Sequence, residues 1–220
     1  MMKDLKGLKV NFLGDSITEG CGASCPAARF VDVFAAKTGA VARNYGIGGT
    51  RIAMQLTPSA KPVYDRYFGG RVDEMEQDAD LVVVFGGTND FGHGDAPFGD
   101  VEGTDTDEHN FCGALRALIE RLMERYPTAE IVFMTPLHRK SERVTTNEIG
   151  LPCHVLADYV DAIRRITAAY GMPCLDLWST SGIAPRVPGN CQTYTADGLH
   201  PNDRGMERVA DRLIAFLATI

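Results

Sequence analysis

The chain has 220 residues, of which 45% are hydrophobic and 23% are charged, with 22 Lys and Arg against 29 Asp and Glu. This composition is typical of a globular protein and excludes long-range disorder, and the length predicts a single domain over residues 1–220. The net charge of −7 is not accompanied by a basic stripe, which disfavours nucleic acid and an anionic membrane surface as partners.

The N-terminal segment carries no pattern of a targeting or membrane-spanning sequence. Gly7, Lys9 and Asn11 interrupt its apolar stretch, and no apolar run in the chain reaches the roughly 18 residues that a membrane span needs. We therefore expect a cytoplasmic protein whose six cysteines are free thiols. Cys21 and Cys25 lack a second close pair, so we expect no metal site at them.

Strand and helix patterns alternate along the chain. Short apolar runs predict five strands, at Leu8–Leu13, Val41–Asn44, Leu81–Phe85, Ile131–Met134 and Pro173–Leu177. Apolar residues at helical spacing predict helices over Pro26–Thr38, Val72–Gln77, Phe111–Tyr126, Leu156–Tyr170 and Asp203–Ala218. Asp105 and Glu108 form a capping-box pattern before the helix at 111–126, and Gly39 and Gly171 are typical helix stop signals.

This alternation predicts the fold class. Near-continuous apolar strands separated by helices are typical of a parallel sheet that is covered on both faces. With right-handed crossovers, five such strands predict a three-layer α/β/α sandwich. Ligands of such sheets bind in a crevice beyond the carboxyl ends of the strands, so the residues that directly follow the strands are the first candidates for a functional site.

Polar or glycine-rich clusters follow four of the predicted strands. They are Gly14–Ile17 after the first strand, Asn44–Thr50 after the second, Gly86–Asp90 after the third, and Asp197–Pro201 beyond the fifth. Because the carboxyl ends of parallel strands lie at one edge of the sheet, we expect all four clusters to border a single crevice.

Acyl transfer is the chemistry that these clusters fit. Ser16 lies at a strand-to-helix turn, where its hydroxyl can protrude as a nucleophile, and His200 is a candidate for the base. Asp197 stands three residues before His200 and can bind the far ring nitrogen. The glycines of Gly46–Gly49 allow the backbone to present an N–H to a ligand, and Asn89 offers an amide donor for a developing oxyanion.

The four clusters resemble the sequence blocks of the SGNH hydrolases, also called GDSL lipases or esterases, in the order that the family has them. The blocks are Gly14-Asp15-Ser16, Asn44 to Gly49, Gly87-Thr88-Asn89-Asp90 and Asp197-Gly198-Leu199-His200. Ile17 stands where the family's name-giving motif has Leu, and the second block carries an extra glycine. The resemblance implies a flavodoxin-like sandwich with the strand order 2-1-3-4-5.

The resemblance also implies a role for each site residue. Ser16 is the expected nucleophile, with Asp197 and His200 as its triad partners. The expected oxyanion hole consists of the Ser16 N–H, the Gly49 N–H and the Asn89 amide, with Gly48 as the alternative glycine. No cofactor or metal is implied, and the expected partner is a small ester.

Other interpretations remain open for the same residues. Ser16 and Asp15 can be no more than a helix cap, and Asn89 can lie in an ordinary turn. Gly46–Gly49 can cradle a phosphate, which would make the chain a nucleotide- or sugar-binding module without activity, although no Gly-Lys-Ser/Thr sequence is present. The histidines outside the fourth block show no triad or metal spacing and are interpreted as surface or loop residues: His93, His109, His138 and His154.

Two long loops, 91–107 and 138–152, are expected to border the crevice and to shape substrate choice. Neither contains an evident run of exposed apolar residues of the kind a lipid-facing lid needs. This favours a short-chain esterase, such as a carbohydrate O-acetylesterase, over the alternative of a lysophospholipase or thioesterase.

Overall fold

The computed structural model describes residues 5–220, so the first four residues of the predicted domain lie outside the described part of the chain. The centre of the protein is an all-parallel sheet with the strand order 2-1-3-4-5. Its strands are β1 (Lys9–Gly14), β2 (Val41–Gly46), β3 (Leu81–Phe85), β4 (Glu130–Met134) and β5 (Cys174–Leu175). Each lies where the sequence predicts it, and the α/β fold with flavodoxin-like topology is confirmed.

The helices surround the sheet. In chain order they are α1 (Ser16–Glu19), α2 (Phe30–Thr38), α3 (Phe68–Arg71), α4 (Thr88–His93), α5 (Phe111–Arg125), α6 (Leu156–Ala169), α7 (Leu177–Thr180), α8 (Pro188–Tyr194) and α9 (Asp203–Leu217). The three longest confirm the predictions to within a residue or two. The helix predicted over 26–38 is divided, because Arg29 has extended backbone between a 3₁₀ turn at Pro26–Ala28 and α2.

Two local predictions about helices are wrong. The segment predicted as a helix over 72–77 continues α3 only as a 3₁₀ turn at Val72–Glu74. The capping box predicted for α5 does not form, because the Asn110 side chain caps the helix by accepting from the Gly113 N–H at 2.7 Å. Asp105 instead accepts from the Asn110 amide at 3.0 Å, and Glu108 pairs with Arg121 at 3.1 Å.

Two apolar cores lie on opposite faces of the sheet and produce the three layers. Successive strand residues alternate between the faces, so that Phe12 and Val83 pack with α2 and α9, whereas Val82 and Val84 pack with α5 and α6. The Phe12 ring contacts the Phe34 ring edge to face at 5.4 Å, and both are fully buried. Burial of one such side chain contributes about 2–3 kcal/mol, which is what holds each helix on the sheet.

The register of the sheet determines where the site lies. Gly14, the last residue of β1, is paired with Gly46 of β2 and with Phe85 of β3. The segments that follow these three strands therefore emerge side by side at one edge.

None of the helices within residues 5–220 is long and apolar enough to cross a bilayer.

Candidate active site

Ser16 is the first residue of α1 and follows β1 after a single intervening residue. That residue, Asp15, caps the helix through its carboxylate, which accepts from the Ile17 N–H at 2.9 Å. The interpretation of Asp15 as a helix cap is therefore confirmed. Because Asp15 provides the cap, the Ser16 hydroxyl is not used for it and faces a cavity instead.

Asp15 lies in a fully buried position behind Ser16. Burial raises the pKa of Asp15 to about 7, against the opposing effect of the hydrogen bond from the Ile17 N–H. The block-two residue Asn44 ties the next segment to the same turn, since its amide donates to the Thr18 carbonyl at 2.7 Å and its oxygen accepts from the Gly46 N–H at 2.8 Å. The two hydrogen bonds of Asn44 fix the position of the end of β2 relative to the turn that follows β1.

The side chains of Ser16, His200 and Asp197 form one hydrogen-bonded chain. The Ser16 Oγ lies 3.0 Å from the His200 Nε2, although 184 positions separate the two residues. The His200 Nδ1 lies 2.7 Å from the Asp197 Oδ2. The carboxylate therefore binds the protonated Nδ1, which leaves Nε2 as an acceptor that faces the serine hydroxyl.

The segment that carries His200 is shaped by local contacts. The other oxygen of Asp197 accepts from the backbone N–H groups of Leu199 and His200, each at 2.8 Å. A bridge between Thr195 and Pro201 closes the turn, and Gly198 occupies the left-handed region at φ +91°. His200 does not cap α9, because the Asn202 side chain accepts from the Arg204 and Gly205 N–H groups.

Hydrogen bonding decides the charge of Asp197. Partial burial by itself raises the pKa of this carboxyl, but the bonds from the His200 ring and from the two backbone N–H groups outweigh it and hold the pKa below its usual range. Asp197 therefore remains an anion next to the imidazole, where its charge can stabilise a positive charge on the ring.

The glycine loop presents one unused N–H at the cavity. The Gly46, Ile47 and Gly48 N–H groups donate within the protein, the last of them to the Glu19 carboxylate at 2.8 Å. The Gly49 N–H has no hydrogen-bond partner among the described residues, and Gly49 adopts φ +77° beside the ring of Tyr64. Of the two glycines considered from the sequence, the structure therefore leaves Gly49 available as a donor.

Asn89 lies in the first turn of α4 and is buried at the cavity wall. The turn interpretation of this segment is wrong, because Thr88–His93 is helical. One N–H of the Asn89 amide donates to the Thr50 carbonyl at 2.9 Å, which joins α4 to the end of the glycine loop. The second N–H of the amide has no protein partner among residues 5–220 and is available to a ligand.

Asp90 anchors the chain that follows the glycine loop. Its carboxylate accepts from the Ile52 and Ala53 N–H groups at 3.1 and 2.8 Å. Burial raises the pKa of Asp90 to about 6, because it outweighs these two hydrogen bonds and the charge of Arg51. Asp90 thus anchors this segment, next to the glycine loop, from within the core.

The predicted site residues border one cavity of about 1080 Å³. Ser16, Gly49, Asn89 and His200 line it, and Asp197 lies behind His200. The structure thus brings all five predicted residues to one place, as expected from the ends of parallel strands.

Sequence reasoning missed a large part of the cavity wall. The segment 51–64 supplies many of the lining residues, among them Arg51, Lys61 and Tyr64. The available signal was that this segment directly follows the second sequence block, so that it begins at the edge of the sheet where the site lies. Of the two loops expected at the crevice, 138–152 contributes four lining residues, Arg139, Glu148, Ile149 and Leu151, whereas 91–107 contributes only His93 and Asp95.

Two expectations about these segments need correction. His93 is neither a surface nor a loop residue, because it is the last residue of α4 and lies partly buried in the cavity wall. Its Nδ1 is 2.8 Å from the Arg51 guanidinium. The loop 138–152 does expose apolar side chains, and Ile149 and Leu151 lie at the cavity together with exposed Val63. The sequence argument against a longer acyl chain is weaker for that reason.

The cysteines are all free thiols in the structure. Cys21 lines the cavity beside Glu19, where burial and the neighbouring carboxylates raise the pKa of its thiol. Residues 5–220 contain no group of three or more His, Cys, Asp or Glu side chains arranged to hold a metal ion.

The sequence model of the GDSL-like lipase/acylhydrolase family matches residues 12–208, a span that includes every residue of the site. No curated protein matches the chain. A solved protein from Lactobacillus plantarum is 33% identical with a TM-score of 0.81, covering 97% of this chain and 98% of that one.

Two more distant structures show the same fold. The lipase/acylhydrolase from Enterococcus faecalis is 21% identical with a TM-score of 0.64, and the alignment covers 96% of each chain. A member of the lipolytic G-D-S-L family from Veillonella parvula is 16% identical with a TM-score of 0.63, covering 95% of this chain and 97% of that one.

Proposed function

The chain belongs to the GDSL-like lipase/acylhydrolase family, and from this premise we propose that it is a serine esterase that works through an acyl-enzyme. Family membership supports an ester hydrolase in general. The observation that supports the serine mechanism is the 3.0 Å contact between the Ser16 Oγ and the His200 Nε2. This contact is of the length over which a hydroxyl proton is transferred to an imidazole.

In the first half of the proposed reaction, the Ser16 Oγ attacks the ester carbonyl carbon and its proton passes to the His200 Nε2. Asp197 stabilises the imidazolium that results. The carbonyl oxygen becomes an oxyanion, which accepts from the Ser16 N–H, the Gly49 N–H and the free N–H of Asn89. Collapse of this intermediate breaks the bond to the alcohol, and the His200 imidazolium protonates the leaving oxygen.

In the second half, a water molecule replaces the alcohol. His200 removes a proton from that water, and the resulting hydroxide attacks the acyl-Ser16 carbonyl. The same three donors bind the second oxyanion, and His200 returns the proton to Ser16 as the acid leaves. These steps use side chains and backbone groups of the chain itself together with one water molecule.

For the substrate we favour a small molecule, either a short-chain acyl ester or an O-acetylated carbohydrate. Polar side chains in the cavity wall, including Arg51, His93 and Asn89, support an ester with further oxygen atoms. A longer-chain acylhydrolase, of lysophospholipase or thioesterase type, is the second candidate. The exposed apolar side chains of Val63, Ile149 and Leu151 at the cavity favour it.

A nucleotide-binding module has less support than either esterase. The loop Gly46–Gly49 uses three of its N–H groups inside the protein, and the Glu19 carboxylate occupies the Gly48 N–H. A phosphate at this loop would therefore meet a negative charge and only one unused backbone donor.

The test is Ser16→Ala, assayed on p-nitrophenyl esters of rising chain length with acetylated sugars alongside. We expect loss of nearly all hydrolysis and loss of labelling by a fluorophosphonate, because the hydroxyl is the attacking group. Thr180→Ala removes a hydroxyl that does not line the cavity and is the matched control. Activity of Ser16→Ala near the wild-type level would refute the mechanism, and the chain-length profile separates the two candidate substrates.

A further inference from the structure

His93 and Arg51 form a pair in the cavity wall that the proposed reaction does not use. The Arg51 Nη1 lies 2.8 Å from the His93 Nδ1, and only 2% of the Arg51 side chain is exposed. The guanidinium is also held by the Tyr64 carbonyl at 3.0 Å and by the Ser59 hydroxyl at 3.2 Å. These contacts fix the guanidinium against the histidine ring.

The pairing determines where the histidine carries its proton. A guanidinium has only N–H donors, so the His93 Nδ1 must accept, and the proton of the neutral ring is on Nε2. Burial lowers the pKa of His93, and the charge of Arg51 lowers it further. His93 is therefore held as a neutral imidazole with a donor at Nε2.

The Nε2–H of His93 is available to a ligand. It has no hydrogen-bond partner among residues 5–220, and the Nε2 atom is not fully buried. The open space that His93 borders is the cavity itself. A fixed donor that faces a cavity without a protein partner requires an acceptor from a ligand or from water.

His93 lies on the side of the cavity that carries the oxyanion donors. It is four residues after Asn89 in α4, so the two side chains lie on one face of the helix. The Tyr64 ring packs directly on Gly49 and lies 5.6 Å from the His93 ring, between centroids. Tyr64 therefore connects His93 to the Gly49 donor as well.

We propose that His93 is a specificity-determining residue, whose Nε2–H binds an oxygen atom of the substrate close to the ester group. The inference rests on the proposed esterase function and narrows its substrate class to esters that carry an additional acceptor oxygen, such as an ether, hydroxyl or carbonyl. That oxygen belongs to the acyl part or to the alcohol part, as in a sugar ester, and the chemistry of recognition is the same for both.

Two pairs of substrates of equal size test the proposal. p-Nitrophenyl methoxyacetate differs from p-nitrophenyl butyrate by one oxygen in place of a methylene in the acyl part. 2-Methoxyethyl acetate differs from butyl acetate in the same way in the alcohol part. The measured quantity is the ratio of kcat/KM within each pair, so a general loss of activity in a variant cancels.

The variants His93→Asn and His93→Gln separate recognition from support of Arg51. The Asn oxygen can replace Nδ1 as the acceptor for Arg51 but leaves no donor at the Nε2 position, whereas the Gln amide restores that donor and loses the acceptor. We expect His93→Asn to lower the ratio for one pair by about 3- to 10-fold, as for one lost hydrogen bond, and His93→Gln to retain it within about twofold.

The pair that responds identifies the part of the substrate that carries the oxygen. Unchanged ratios for both pairs in His93→Asn would overturn the proposal, as would a larger fall in His93→Gln, which indicates a purely structural role. If wild type and Ser16→Ala both hydrolyse the four esters no faster than the uncatalysed reaction does, the esterase function itself fails. The two failures are therefore distinguishable.

Discussion

The two sides of the cavity hold their functional groups by opposite means. The side that carries the proposed base, here called the base side, consists of residues 195–203. It orients His200 through Asp197, which is three residues away and has 53% of its side chain exposed. The side that carries the proposed oxyanion donors, here called the oxyanion side, consists of residues 48–65 and 88–93. It depends on Asp90, which is buried and binds N–H groups 37 and 38 positions away. One side is a local turn, and the other is assembled from distant segments.

The two carboxylates show what this difference means in energy. Hydrogen bonds hold the pKa of Asp197 below its usual range, whereas burial raises the pKa of Asp90 to about 6. Asp197 thus remains an anion where the mechanism needs one. Asp90 holds the backbone of the oxyanion side, but its buried carboxylate is less stable as an anion than it would be in water. The geometry of that side therefore depends on the stability of the core.

The largest expected effect is on the base side. Asp197→Asn should lower kcat by about 10⁴-fold and His200→Gln by at least as much, because the ring loses its orientation or the base itself. His109 and Asp107 form a similar pair at 3.1 Å outside the cavity, so His109→Gln and Asp107→Asn are matched controls that should retain activity. Steady-state kinetics decide, and loss below tenfold in both site variants would contradict the assignment.

A smaller effect is expected from the oxyanion side. Asn89→Ala should lower kcat by about 10²- to 10³-fold with little change in KM, because the lost donor acts mainly on the developing oxyanion. The control is Asn11→Ala, which removes a buried amide that does not line the cavity. This amide donates to the Glu76 carbonyl at 2.7 Å. If both variants lose activity only in proportion to their unfolding, Asn89 is a structural residue.

The smallest expected effect concerns stability and its dependence on pH. The folded-state pKa of Asp90 is about 6 against an ordinary value of 3.8, so the folded protein binds this proton more tightly than the unfolded chain. The contribution of Asp90 to the free energy of unfolding is therefore present below pH 4 and falls as pH rises through about 6, by about 3 kcal/mol.

Comparison of wild type with Asp90→Asn in urea isolates this contribution, since Asn does not titrate. The difference in unfolding free energy, wild type minus variant, should decrease between pH 4 and pH 7. A difference that stays constant over this range would show that Asp90 is ionised normally. The oxyanion side would then not differ from the base side in the way described above.

Much of the architecture was predictable because it depends on local patterns. The apolar runs of the strands and the helical spacing in 111–126, 156–170 and 203–218 each reflect burial on a sheet face. The capping of α5 was not predictable in this way. Asp105 and Glu108 have the right spacing for a capping box, but tertiary partners bind them and Asn110 takes the cap.

In the candidate site, too, the residues with a local sequence signal were predictable and those that depend on tertiary contacts were not. Ser16, Asn89, Asp197 and His200 each directly follow a strand or lie in a short polar cluster, which sequence can identify. His93 gave no such signal, because its tautomer depends on Arg51, 42 positions earlier. The segment 51–64 likewise becomes a cavity wall through Asp90 and through Asp95, which binds the Leu56 and Thr57 N–H groups at 2.8 Å.

The amino-acid sequence by itself determined the order of strands and helices, the family, and the residues that meet at the carboxyl ends of the strands, because burial periodicity and short motifs are local properties. Only the tertiary structure decided that Gly49 and not Gly48 has the unused N–H, which wall His93 belongs to, and how the buried carboxylates are charged. These depend on distances between segments and on exclusion of water, which no stretch of sequence contains.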